Sequence, residues 1–214
     1  MTKKPEGMDL KERWGPIVDC IADLLGPNAE VVLHDVRHTD HSIVMIRNGS
    51  VTGRTVGAPL TDLGFFMLRE SERKIQTLGV YHSRSSSGKQ LKCNAANLRD
   101  EKGNIEGILC INIDVGTQEK NYNRTNDGQV TEHYWTKPAK VIENMVSDAC
   151  QGTLRANGDL SREQKLELIQ ALDARGVFLA RNAVKNVSAT LNIAIPTVYK
   201  YIRMVRNRGA GIGS

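Results

Sequence analysis

Three stretches hold residues whose types and spacing suit chemistry. The run HDVRHTDH brings His34, Asp35, His38 and His41 close together in the chain. Histidines four apart bind a metal readily on one helix face, but this run begins in a β-type segment and ends in a turn, so no metal site is assigned. His34 and Asp35 are expected to close a strand and face the interior of their domain. GSVTGRT, from Gly49 to Thr55, is like a phosphate-cradling loop, yet it has three residues between its glycines rather than four and Arg54 where lysine belongs. It reads as a turn and loop. Cys93 or Cys110 with His82 would supply a nucleophile and a base. Both cysteines sit in apolar strand contexts, where a buried thiol is inert. No catalytic residue, metal or cofactor is assigned, and the chain is not expected to be an enzyme.

The C-terminal stretch has a different chemistry. Between Gly176 and Ser214 lie Arg181, Lys185, Lys200, Arg203, Arg206 and Arg208 and no acidic residue, against a net charge of +5 for the whole chain. One end of the molecule thus carries the positive field, which suits a polyanion. The elements beneath it are helical. Ser161 with Gln164 forms a capping box that opens a helix bearing Leu166, Ile169 and Leu172, and Gly176 closes it. A second helix is expected from about Leu179 to Leu191. Asn192 tolerates the positive φ of a sharp turn, Ile193 plugs the corner, and Pro196 fits the first turn of a last helix that buries Val198, Ile202 and Val205.

This is the pattern of a helix-turn-helix, whose last helix enters the major groove of double-stranded DNA by its N-terminal end. The residues assigned to DNA are Lys185, Ser188, Ile195, Pro196, Thr197, Tyr199, Lys200, Arg203 and Arg206. Lys200 suits phosphate, Thr197 and Tyr199 suit phosphate or base edges, and Arg203 suits either. The alternative is a sensor protein whose C-terminal helices only mediate protein contacts.

Ahead of this lies a segment of another kind. An amphipathic helix from Leu10 to Leu25 precedes two β-type runs, AEVVLHDV and SIVMIRNG, and a helix capped by Thr61. Three further β-type runs follow, GVYHSRS, KQLKCNAANL and NIEGILCINIDV, separated by turn residues that favour hairpin pairing. The expected fold class is α+β, a small sensor domain over residues 1–115 followed by an all-α domain over 158–208. Residues 116–136 read as a polar linker. Residues 137–152 read as a connecting helix whose stripe of Val141, Met145, Val146 and Ala149 is buried on the sensor or against a second chain. A regulator of paired half-sites is at least a homodimer, and that stripe and the sensor are the expected surfaces.

Composition agrees with a globular chain, 40% hydrophobic and 25% charged. No apolar run approaches the ~18 residues of a membrane span, the N-terminus lacks a secretory apolar core, and the four cysteines show no paired spacing. A cytoplasmic protein with no membrane partner is expected.

The motifs EVVLHDV, HSIVMIRNG, GAPLTDLG and GILCINIDV, followed by VFLARNAVKNVSATLNIAIPTVYKYIR, closely resemble the YheO-like family, which includes the DauR-like regulators of D-arginine utilisation. The resemblance spans nearly all of Leu10 to Arg206. It implies a PAS-like domain joined to a helix-turn-helix, a bacterial transcriptional regulator acting as a repressor, and a small effector read by the PAS-like half. In GILCINIDV, Cys110, Asn112 and Asp114 share one strand face, which is polar for a core strand. Asn112 and Asp114, together with His34, Asp35 and Asn94, are assigned to effector binding. A carboxylate there suits a cationic ligand, and an amino acid such as D-arginine, suggested by the resemblance, fits.

Overall fold

The computed structural model of the chain describes residues 9–70, 75–116, 132–150 and 160–210. Most of the expected linker, residues 117–131, lies outside them.

Helix α1, Leu10–Leu25, buries Leu10, Val18 and Ala22 and stops at Gly26, whose φ of 78° a side chain would resist. Strands β1 (Ala29–Asp35) and β2 (Ile43–Arg47) follow, joined by a short 3-10 segment, Val36–His41. Asn48 then takes a left-handed φ of 57° and its side-chain amide donates to the carbonyls of Gly26 and Ala29, tying the β2 turn to the end of α1. Helix α2, Asp62–Arg69, starts where the Thr61 hydroxyl accepts from the Gly64 N–H at 3.1 Å.

Strands β3 (Tyr81–Arg84), β4 (Gln90–Arg99) and β5 (Ile105–Asp114) complete a five-stranded sheet of order β2-β1-β5-β4-β3, with every neighbouring pair antiparallel. Alternation sorts its side chains. Val31, Leu33 and Leu98 meet Leu10, Val18 and Ala22 of α1 on one face. Val32, Ala95, Ile108 and Cys110 face the other way, toward Phe65 and Met67 of α2.

The second domain comprises α3 (Pro138–Cys150), α4 (Arg162–Ala174), α5 (Ala183–Leu191) and α6 (Ile195–Ala210). Its apolar core, with Val146, Leu168, Leu172, Val187 and Val198, is continuous with the inner face of the sheet through α2. The contact is close. A Cβ on Gly176 would sit 2.4 Å from the Phe65 carbonyl oxygen, so only glycine permits it.

Three expectations change. Val141, Met145 and Val146 are buried within the single chain, because α3 packs on α4, α5 and α2; the stripe is not free to join a second copy. Helix α5 begins at Ala183 rather than Leu179, since Asn182 adopts a φ of 60° and separates it from a 3-10 turn at Val177–Leu179. Residues 132–135, read as the end of the linker, are instead packed on the sensor, with Glu132 and Tyr134 buried.

Candidate functional site

The helix-turn-helix is built as its residue types dictate. Ser161 and Gln164 cap α4 reciprocally, at 3.2 and 2.8 Å. Gly176 ends it with a φ of 77°, and Asn192 makes the α5–α6 turn with a φ of 49°. Ser188 Oγ donates to the Ile193 carbonyl at 2.6 Å while the Ile193 N–H donates to the Ser188 carbonyl at 3.0 Å. Ser188, assigned to DNA on sequence, therefore holds the turn with its hydroxyl.

Val198, Tyr201 and Ile202 bury one face of α6, and full burial of a side chain such as Val198 or Ile202 contributes about 1.5–3 kcal/mol. That fixes the rotation of the helix, and the opposite face is set by it. Ile195 and Tyr199 are 43% and 54% exposed, with Pro196, Lys200 and Arg203 exposed beside them and Thr197 half-buried at the edge. Lys185 is exposed on α5. Lys185, Lys200 and Arg203 offer charge to phosphates, and Thr197 and Tyr199 offer hydroxyls to phosphates or base edges.

Arg206 is exposed as well, but it has an internal partner. Its guanidinium donates to Asp173 Oδ1 at 3.1 and 2.7 Å, and Arg69 of α2 reaches the other carboxylate oxygen at 3.2 Å. Asp173 is buried, so Arg206 belongs to a clasp joining sensor to recognition helix.

Inside the sensor, the inner sheet face carries a second cluster. Glu30 accepts from Thr52 Oγ1 at 2.6 Å, from the Thr52 N–H at 3.2 Å and from Asn112 Nδ2 at 2.9 Å. Burial nonetheless pushes its carboxyl above the usual range, with these bonds opposing. His34 Nδ1 lies 2.8 Å from Ser42 Oγ, and burial, followed by the nearby Arg54 charge, holds its imidazole well below the ordinary value, hence neutral. Arg54 is only 3% exposed. It donates to the Pro59 carbonyl, but its Nε, like Asn112 Oδ1, has no partner among the described residues. Burial lowers its pKa, against the opposing charges of Glu132, Cys110 and Glu30.

Glu132 completes the cluster. Its Oε1 accepts from Thr61 Oγ1 at 2.8 Å, and its Oε2 accepts from the hydroxyls of Tyr81 at 2.7 Å and Tyr134 at 2.8 Å. Burial raises its pKa as well.

The five residues assigned to an effector are thus divided. His34 and Asn112 join Glu30 and Arg54 on the inner face. Asp35 and Asn94 do not: the first is opposite Gly107 on the face of α1 and pairs with Arg37 at 2.6 Å, and the second meets Thr77 at 3.4 Å. Asp114 lies at the rim, 3.5 Å from Lys89 Nζ. Glu30 is legible from the alternation Glu30, Val32, His34; Arg54 lies in a stretch that reads as a turn and loop, which carries no signal of burial; Glu132 has no periodic signal.

Comparison with known proteins agrees with this architecture. The family model of the YheO-like PAS domain matches residues 6–127, and that of an HTH domain matches residues 141–203. YheO of Escherichia coli strain K12 is 28% identical over 206 residues, 93% of this chain and 86% of that protein. The transcriptional regulator DauR of Pseudomonas aeruginosa is 28% identical over 213 residues, 92% of this chain and 95% of its own. Among solved structures, a Rhodobacter sphaeroides LOV protein is 12% identical with a TM-score of 0.33, covering 92% of this chain and 99% of that one. Among the described residues no helix is long and apolar enough to cross a membrane. With an antiparallel five-stranded sensor followed by helices that present a cationic face, the chain belongs to the YheO-like PAS family and carries an HTH domain in its second half.

Proposed function

We propose that the chain is a DNA-binding transcriptional regulator, acting as a repressor, whose α6 reads operator DNA and whose sensor interior takes a small effector. The observation that carries this is the outward face of α6, where Tyr199, Lys200 and Arg203 stand exposed opposite buried Val198 and Ile202. A helix that served only to bury a core would not need an acid-free cationic face. The name of the relative DauR supports transcriptional control.

The effector is proposed to be an amino acid. Buried Glu30 suits an amine and the unpaired Nε of Arg54 suits a carboxylate; D-arginine carries both groups and a second cation. The working unit is proposed to be a homodimer, since paired half-sites need two recognition helices. With the α3 stripe buried, the exposed Ile17, Leu24 and Leu25, which share α1, are the apolar face of the sensor proposed to meet a second copy.

Retention of the full chain on random and specific duplex DNA across a salt series tests the function. Binding that weakens steeply with salt is expected; a folded chain that fails to bind duplex at low salt would overturn it.

A further inference from the structure

Residues 132–135 lead directly into α3, the first helix of the second domain, yet they are packed on the sensor. Glu132 and Tyr134 are the buried ones, and Glu132 is the charged member of the two. Its carboxylate meets Thr61 at the start of α2 and Tyr81 on β3, while its own carbonyl accepts from Ser83 Oγ at 3.2 Å. Among the described residues no cation lies within ion-pair distance of it. The chain therefore seats one of its own carboxylates against sensor hydroxyls, in the same interior as a buried arginine whose Nε is unpaired.

We propose that Thr61, Tyr81 and Arg54 form a binding site for a small-molecule carboxylate, which Glu132 occupies as an internal competitor. An entering carboxylate takes the two hydroxyls from Glu132 and adds a hydrogen bond from the unpaired Nε of Arg54, whose charge Glu132 meets without such a bond; hydrogen bonds between charged partners are the strong ones. Glu132 and Tyr134 then leave together, because Tyr134 bonds the same oxygen of Glu132 as Tyr81 does. The segment they release is continuous with α3, so occupancy of the sensor is transmitted to the DNA-binding helices through the chain itself. Glu132 is suited to displacement: burial disfavours its charged form, which the hydroxyls offset only in part. The proposal rests on the effector reading above and names the group on the effector that is recognised.

The chain has two tryptophans, so Trp14→Phe leaves Trp135, next to Tyr134, as the sole fluorescent reporter of the segment. In that background the full chain is titrated with acetate, propionate and glycine at constant ionic strength, with propionamide as the uncharged control. The acids are expected to shift Trp135 emission to the red, and propionamide to leave it unchanged. Glu132→Ala, which removes the competitor, is expected to bind the acids at least tenfold more tightly. Should Glu132→Ala not fold by circular dichroism, Glu132→Gln keeps the size and two-atom shape without the charge, and tighter binding is again expected. Equal affinity with and without the Glu132 carboxylate, acid and amide behaving alike, or no binding of any acid overturns the site. The same proteins are assayed for salt-dependent duplex binding. If that persists while the titrations fail, the site alone is wrong; if that is absent in the folded chain, the regulator reading is wrong whatever the titrations show.

Discussion

Arg206 of the recognition helix donates to Asp173 at 2.7 Å. Arg69 of the sensor helix α2 shares the same carboxylate at 3.2 Å. A buried acid thus joins the DNA-binding helix to the sensor, and the last cation assigned to DNA on sequence has an internal partner. Removing one partner of a buried pair leaves the rest uncompensated, but both arginines are partly solvated, which reduces the penalty. Asp173→Ala is expected to destabilise the chain by about 1–3 kcal/mol. Chemical denaturation read by far-UV circular dichroism checks this, and an unchanged midpoint would contradict it.

The α5–α6 turn provides a second test. Ser188 Oγ donates to the Ile193 carbonyl at 2.6 Å and Asn192 holds a φ of 49°. Ser188→Ala is expected to lose about 1 kcal/mol, the net contribution of one such bond. Asn192→Gly should be close to neutral, whereas Asn192→Val, β-branched at positive φ, should lose about 1–2 kcal/mol. Equal effects of glycine and valine at 192 would mean that the backbone there is not left-handed.

A pH dependence follows from His133, whose Nδ1 lies 2.7 Å from Asp62 Oδ2 at the start of α2. The hydrogen bond to Asp62, opposed by burial and aided by the Asp62 charge, raises the imidazole pKa above its ordinary value of 6.5. A raised folded pKa contributes stability that is fully present below the unfolded value and is lost as pH rises through the folded one. The melting temperature of the native chain should therefore fall more between pH 6 and 8 than that of His133→Gln. Parallel pH profiles would contradict the pair.

Assembly is tested on α1. Leu24 is 83% exposed and Ile17 43%. If the sensor joins two copies through this face, Leu24→Asp should shift the mass by light scattering from dimer toward monomer without lowering helix content. A native chain that is monomeric at micromolar concentration, with and without DNA, would contradict the homodimer.

Much of this was legible in the sequence because short-range signals agreed with one another. Asn192, Gly176 and the Ser161–Gln164 box each announce a local backbone geometry, and each has it. The strands follow from turn residues and β-type runs in the same way. Side-chain destinations were harder. Asp35 and His34 are adjacent, so alternation alone sends them to opposite faces, yet both were assigned to one site. Arg206 looks like any other cation of the tail until Asp173, 33 residues earlier, is seen beneath it. Glu132 lies in a polar stretch without periodicity, and its burial is decided by three hydroxyls, two of them from distant elements. Long-range polar pairing leaves no local pattern to read.

The slope of log affinity against log salt for duplex DNA tests the outward face of α6 most directly. Each phosphate contact removed lowers that slope by about one ion. Lys200→Ala is expected to reduce it by about one, while Arg206→Ala, whose guanidinium is engaged by Asp173, leaves it unchanged and lowers the melting temperature instead. A slope indifferent to Lys200, or one that falls with Arg206 and not with Lys200, would contradict DNA binding through this face.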